Sequence, residues 1–153
     1  MFRRELKGFH LFLALGEGAR VFGYAVGLDL TRRDLQSAAK AKGLPWDTGK
    51  AFDHSAPIGE IAPAALVGDL APRTLSLTVN GTQRQRSTLD QWIWDVPEIL
   101  AELSKLFELK AGDLVFMGTP AGVSALQVGD RFEARLDDVL SLSGHVAPPR
   151  PTR

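Results

Sequence analysis

The stretch Val21-Phe22-Gly23-Tyr24-Ala25-Val26-Gly27-Leu28-Asp29-Leu30-Thr31-Arg32-Arg33-Asp34-Leu35-Gln36 carries a strand, a carboxylate and a helix start in sixteen residues. Val21 to Leu30 is apolar enough to read as a strand. Its two glycines, Gly23 and Gly27, leave room for another backbone or a ligand to come close. Thr31 reads as a helix N-cap, with Asp34 in the charge-favoured first turn. The helix runs to about Lys42 and stops at Gly43, a left-handed terminator. Asp29 therefore ends an apolar strand directly before a helix, a place where strand ends present ligands. A metal-ligating carboxylate, a second capping group and a solvated turn residue all fit that position.

Upstream, Gly8 to Leu15 reads as a buried strand and Gly16-Glu17-Gly18 as a turn. Downstream, Leu44 to His54 is a loop punctuated by Pro45 and Gly49. Thr74 to Val79 alternates apolar and polar side chains. Asn80-Gly81 is a strong two-residue hairpin signal, and Thr82 to Ser87 is the return strand. A second helix is announced by Asp95 and Glu98, which form a capping box, with Pro97 in the first turn. Ile99, Leu100, Leu103, Leu106 and Phe107 form its apolar stripe. Ala111-Gly112-Asp113 turns the chain into a strand at Leu114 to Met117. Val128-Gly129-Asp130 repeats the device before Arg131 to Leu136, and Asp137-Asp138 leads into Val139 to His145. Many short strands with two helices predict an α+β fold with a dominant, strongly bent sheet; the alternation of a doubly wound fold is missing.

The 153 residues suit one domain, taken as 1–146, with a proline-rich disordered tail at 147–153. Eighteen Lys+Arg balance 18 Asp+Glu, so nucleic-acid binding through bulk positive charge is excluded. The absence of cysteine excludes disulfides, thiolate metal sites and a thiol nucleophile. No apolar run approaches the roughly 18 residues that span a membrane. Arg3, Arg4 and Lys7 precede the apolar run Phe9 to Leu15. That run is short, contains His10 and is followed by Gly16-Glu17-Gly18 rather than a small-x-small cleavage site, so a strand is expected instead of a signal peptide. A cytoplasmic location, with no membrane and no nucleic-acid partner, is the expectation.

Arg33 and Gln36 share a helix face, where a guanidinium beside a carboxamide suits a carboxylate ligand as well as an ordinary polar surface. Gly43-x5-Gly49-Lys50 has the wrong spacing for a phosphate loop, lacks the hydroxyl at Ala51 and loses a donor at Pro45, so nucleotide binding is rejected. Lys50, flanked by Gly49 and Ala51-Phe52, can act as a point charge on a developing enolate, or be a solvated loop lysine. Gly118-Thr119-Pro120-Ala121-Gly122 offers backbone N–H groups and a hydroxyl to a carboxylate, or is a plain turn. His10, His54 and His145 have no metal-ligand spacing partners. Trp92 and Trp94 suit core packing or a subunit contact.

Taken in order, these motifs resemble the fumarylacetoacetate hydrolase family: Gly23 to Gln36, Gly49-Lys50-Ala51-Phe52-Asp53, Val79-Asn80-Gly81, Leu109-x-x-Gly112-Asp113, and Gly118-Thr119-Pro120-Ala121-Gly122-Val123. The resemblance covers roughly Gly23 to Val146. It implies an α+β fold, a mixed β-roll of the family's C-terminal type, here incomplete and with two short helices. It implies a homodimer binding Mg²⁺ or Mn²⁺ and acting on a small dicarbonyl acid, an acylpyruvate such as fumarylpyruvate, whose C–C bond is hydrolysed with a pyruvate enolate leaving. The divalent cation acts there as a Lewis acid. By motif position, Asp29 is the metal ligand, Lys50 the catalytic lysine, and Arg33, Gln36 and Thr119 the substrate-binding residues.

The sequence departs from the family at its N-terminal side. The family's water-activating His–Glu pair has no counterpart, and its Glu-x-Glu metal-binding pair aligns with Gly8 and His10. One carboxylate of the usual three, Asp29, remains. Hard Mg²⁺ takes about six oxygens; a nitrogen from His10 suits a softer metal. A family member that is not catalytic, and only binds a carboxylate or a partner subunit, is the alternative expectation.

Overall fold

The computed structural model describes residues 4–148. Two antiparallel sheets pack face to face. The first contains β1 (Arg4–Leu15), β2 (Val21–Arg32), β3 (Ala62–Pro63) and β6 (Leu114–Phe116) in the order β3-β2-β1-β6, with β7 (Ser124–Ala125) paired to the start of β1. The second contains β4 (Thr74–Val79), β5 (Thr82–Thr88), β8 (Arg131–Leu136) and β9 (Leu140–His145) in the order β5-β4-β8-β9. Helices α1 (Arg33–Ala41) and α3 (Val96–Ser104) have nine residues each, and α2 (Ala64–Val67) is a single turn. The α+β roll is therefore present. Every strand pairing among the described residues is antiparallel, so the parallel part of a mixed sheet is not among them. Of the expected tail at 147–153, residues 149–153 lie outside the described residues.

Strand alternation sets the core. Phe9, Leu11 and Leu13 of β1 and Val26, Leu28 and Leu30 of β2 point one way. They meet Leu75, Leu77 and Val79 of β4 and Ala134 and Leu136 of β8, and all are buried. Removing this hydrocarbon from water is the main favourable term for the fold.

The expected turns are realised. Asn80 and Gly81 both have positive φ, 51° and 76°, as a type I′ hairpin requires. The Asn80 side chain also donates to Asp130 (2.8 Å) and accepts from the Arg131 N–H (2.9 Å), tying the hairpin to the next strand entry. The Asp113 and Asp130 carboxylates each accept from the N–H three residues back, at Lys110 and Gln127. The Asp95–Glu98 capping box closes with two 2.8 Å bonds.

Two local expectations are corrected, and two short elements are added. Thr31 is not an N-cap: β2 continues through it, it is fully buried, and α1 starts at Arg33 with no side-chain cap. Pairing with β1 extends the strand beyond Leu30, with Glu5 opposite Thr31, so tertiary pairing overrides the local capping preference. The apolar stripe of α3 outlasts the helix. Ile99 and Leu100 pack on the core, whereas Leu106 and Phe107 lie past its end and are exposed. Strand β3 and the turn α2 fall in a segment whose residues carry no alternating pattern, so nothing in the sequence announced them.

Candidate active site

Asp29 lies between Leu28 and Leu30, so its side chain leaves the opposite face of β2 from the core. Gly27 and Thr31 share that face, as do His10 and Phe12 across the ladder, where His10 pairs with Gly27. The register jumps between Leu6↔Leu30 and Phe9↔Leu28, so Lys7 and Gly8 together stand opposite the single residue Asp29. This is a β-bulge, a device that re-aims side chains beside active sites. Gly8 takes φ 130°, a conformation open to glycine.

The loop after α1 brings the cation. Backbone N–H groups on either side of Asp29 donate to this loop: Leu28 to the Pro57 carbonyl (2.9 Å) and Leu30 to the Ser55 carbonyl (2.7 Å). A 3₁₀ turn at Asp47–Gly49 then delivers Lys50 onto Asp29. The Lys50 ammonium bonds Asp29 Oδ1 and lies 3.3 Å from Thr31 Oγ1. Thr31, mistaken for a cap in the sequence, is therefore part of the site.

Asp29 Oδ2 faces His10, whose Nε2 is 3.9 Å away. His10 is buried, and among the described residues neither ring nitrogen has a hydrogen-bond partner. Burial pushes its pKa down to about 4; the Asp29 carboxylate opposes this and Lys50 adds to it. The imidazole is neutral at pH 7. Phe12 and Phe116 hold it edge-on, with centroids at 6.3 and 5.7 Å.

Gln36 is buried, and Gly49 packs directly against it: a Cβ at Gly49 would come within 3.1 Å of the Gln36 Cβ and backbone nitrogen. The Gln36 Oε1 accepts from Arg33 Nη1 at 2.8 Å. The pair is thus joined to the Lys50 turn by contact. Thr119 lies over the bulge, where a Cβ on Gly8 would fall 1.9 Å from its Oγ1. Of the five residues expected from the motifs, Lys50 touches Asp29 and Thr119 touches Gly8 of the bulge, whereas the Arg33–Gln36 pair meets the site through Gly49, the neighbour of Lys50. A groove of about 530 Å³ leads away from Thr119 between Trp92, Trp94 and Phe116, and does not include Asp29 or Lys50.

Gln85 was missed. Its Oε1 accepts from the Phe9 N–H (3.2 Å), and its Nε2 donates to Thr119 Oγ1 (3.1 Å) and the Pro120 carbonyl (2.6 Å). One buried carboxamide so fastens the Thr119 loop to β1. Because Thr119 Oγ1 accepts from Gln85, its own proton is left to donate elsewhere. The signal was there to be read: Thr82 to Thr88 is a strand with no apolar phase, so its buried position had to be polar.

The donors at this site among the described residues are the Asp29 carboxylate and the His10 imidazole. That mixed set fits a borderline transition ion; an all-oxygen set for Mg²⁺ is not present, and no group of three His, Asp or Glu side chains gathers among the described residues.

The model of the fumarylacetoacetate hydrolase C-terminal domain matches residues 18–147, and this chain belongs to that family. It is 44% identical to the fumarylpyruvate hydrolase of a Ralstonia species over 128 residues, 84% of this chain and 66% of that protein. It is 48% identical to an oxaloacetate tautomerase of Escherichia coli K12 over 118 residues, 76% of this chain and 54% of that one. Its structure matches that of Pseudomonas aeruginosa fumarylpyruvate hydrolase, solved with Mn²⁺ and pyruvate, with TM-score 0.86 and 46% identity over 94% of this chain and 66% of the other. The chain thus spans about half to two thirds of the length of these relatives. Among the described residues no helix is long and apolar enough to cross a membrane.

Proposed function

We propose that the chain acts on acylpyruvates, hydrolysing the bond between C3 and C4 of an acid such as fumarylpyruvate. The observation that carries this reading is the convergence of Lys50, Thr31 and His10 on Asp29 at the bulge, with the Thr119 loop fastened over the same bulge. A divalent cation held at Asp29 would supply Lewis-acid charge to the substrate's oxygens. The Thr119 hydroxyl and neighbouring N–H groups receive the pyruvyl carboxylate, and the Arg33–Gln36 pair borders the site. Water adds to the C4 carbonyl; the C3–C4 bond then breaks, and its electron pair becomes the pyruvate enolate. The Lys50 ammonium meets that charge in a partly buried setting, where a fixed cation acts more strongly than in water. A proton returned to C3 gives pyruvate, and the acyl half leaves as a carboxylic acid.

A second reading is tautomerisation, which moves a proton between C3 and the enol oxygen and needs no water nucleophile. One observation favours it: the chain is 48% identical to an oxaloacetate tautomerase of Escherichia coli K12. Both readings pass through an enolate facing Lys50.

The test is loss of fumarylpyruvate absorbance with Mn²⁺, Mg²⁺ or chelator, alongside enol-oxaloacetate decay. Lys50→Met should lower turnover at least about 100-fold. Unchanged turnover in Lys50→Met defeats the enolate reading, and no turnover by folded wild type on either acid moves the chain to the non-catalytic alternative. In the same reading two copies pair, using the exposed Ile93, Phe107, Leu114 and Phe116; light scattering should give twice the mass of 16.6 kDa.

A further inference from the structure

The feature left unexplained is the pair of orphaned nitrogens on His10. A buried polar atom without a partner costs on the order of 1–3 kcal/mol, so native structures keep few of them. The ring cannot turn away, because Phe12 and Phe116 flank it edge-on and β1 fixes its Cα opposite Gly27. Nε2 points to Asp29 Oδ2 from 3.9 Å, too far for a hydrogen bond. Two donors sharing one ion, each on a bond of about 2.0–2.2 Å, stand roughly 3–4 Å apart. Lys50 engages Oδ1 of the same carboxylate and leaves Oδ2 on the His10 side.

We propose that His10 is a metal ligand, forming with Asp29 a nitrogen–oxygen site that takes Co²⁺, Zn²⁺ or Mn²⁺ in preference to Mg²⁺. The inference rests on the functional reading above only for the place of the site, and assigns a ligand and a metal preference of its own. Imidazole favours borderline ions in the Irving–Williams order, whereas Mg²⁺ asks for oxygen donors and sheds water reluctantly.

The experiment uses the full chain with Co²⁺ and Mn²⁺ alone. Co²⁺ uptake is followed by visible absorption and calorimetry, and Mn²⁺ ligation by electron spin echo, which detects a directly bound nitrogen. Wild type should bind Co²⁺ at least tenfold more tightly than Mg²⁺ and show nitrogen coupling to Mn²⁺. His10→Gln, checked for folding by circular dichroism, should lose the nitrogen signal and weaken Co²⁺ binding at least tenfold. His10→Glu should shift the preference back toward Mg²⁺. Equal Co²⁺ affinity in wild type and His10→Gln overturns the proposal, as does a folded wild type that takes up no Co²⁺. Fumarylpyruvate consumption by the same samples is scored separately, so an active enzyme lacking nitrogen coupling sinks the ligand assignment and leaves the functional reading intact.

Discussion

The two faces of the β1–β2 ribbon are made by the same twenty-odd residues and do opposite things. On one face Phe9, Leu11, Leu13, Val26, Leu28 and Leu30 pack into continuous hydrocarbon against the second sheet. On the other, His10, Asp29 and Thr31 gather beside Phe12 and Gly27, and a loop adds Lys50. The first face has its partner in the apolar side chains of β4, β8 and β9. The second holds a charge pair, an imidazole without partners and a bulge. A strand places alternate residues on alternate faces, so one apolar run can build the core while every second position stays available for chemistry.

The sharpest way to break the comparison is to exchange which face is damaged. Leu28→Ala should lower stability by about 3–4 kcal/mol in urea unfolding, because it opens a cavity at a fully buried site. Asp29→Asn, one residue away, should change stability by less than about 1 kcal/mol and remove Co²⁺ uptake. A large stability loss in Asp29→Asn would mean that the polar face is structural too.

Gly8→Ala should cost about 2–3 kcal/mol and detach the Thr119 loop, since it adds a Cβ onto Thr119 Oγ1 and strains a backbone at φ 130°. Proteolysis within 118–122 measures the detachment, and an unchanged cleavage rate would separate the bulge from the loop.

Acid should act through the polar face. The folded pKa of His10 is pushed below its unfolded value, so the unfolded chain binds the extra proton first. This contribution is complete above about pH 6.5 and is lost as the pH falls toward 4, reaching about 2 kcal/mol by pH 5. Stability profiles of wild type and His10→Gln should diverge across that window; parallel profiles would show that His10 is not held neutral.

A smaller loss than at Leu28 or Gly8 is expected at Gln85→Leu. It leaves the Phe9 N–H unpaired and frees the Thr119 hydroxyl, costing about 1–2 kcal/mol. It should raise KM for the acid more than it lowers kcat. A kcat loss alone would argue against its holding the carboxylate loop.

Legibility followed locality. The Asn80-Gly81 hairpin, the Asp95–Glu98 box and the two Gly-Asp turns are closed by residues within a few positions of one another, and each was readable. Asp29, Arg33, Gln36, Lys50 and Thr119 were readable as motifs, but their meeting depends on contacts across 21 positions for Lys50–Asp29 and 34 for Gln85–Thr119. Thr31 was misread because the same residue type caps helices and fills strands. Gln85 was passed over because the strand shows that its buried position must be polar without showing which of its polar residues fills it.

The sequence by itself determined the α+β class, the strand phases that build the core, the turns and the family, because these depend on side-chain periodicity and on short-range backbone chemistry. Only the tertiary structure decided that a bulge sets Gly8 against Asp29 and Thr119, that Lys50 reaches Asp29, and that His10 is buried with both nitrogens unpaired. The reason is physical: ladder register and loop return are set by pairing between distant segments, and no local pattern encodes which segment comes to lie opposite.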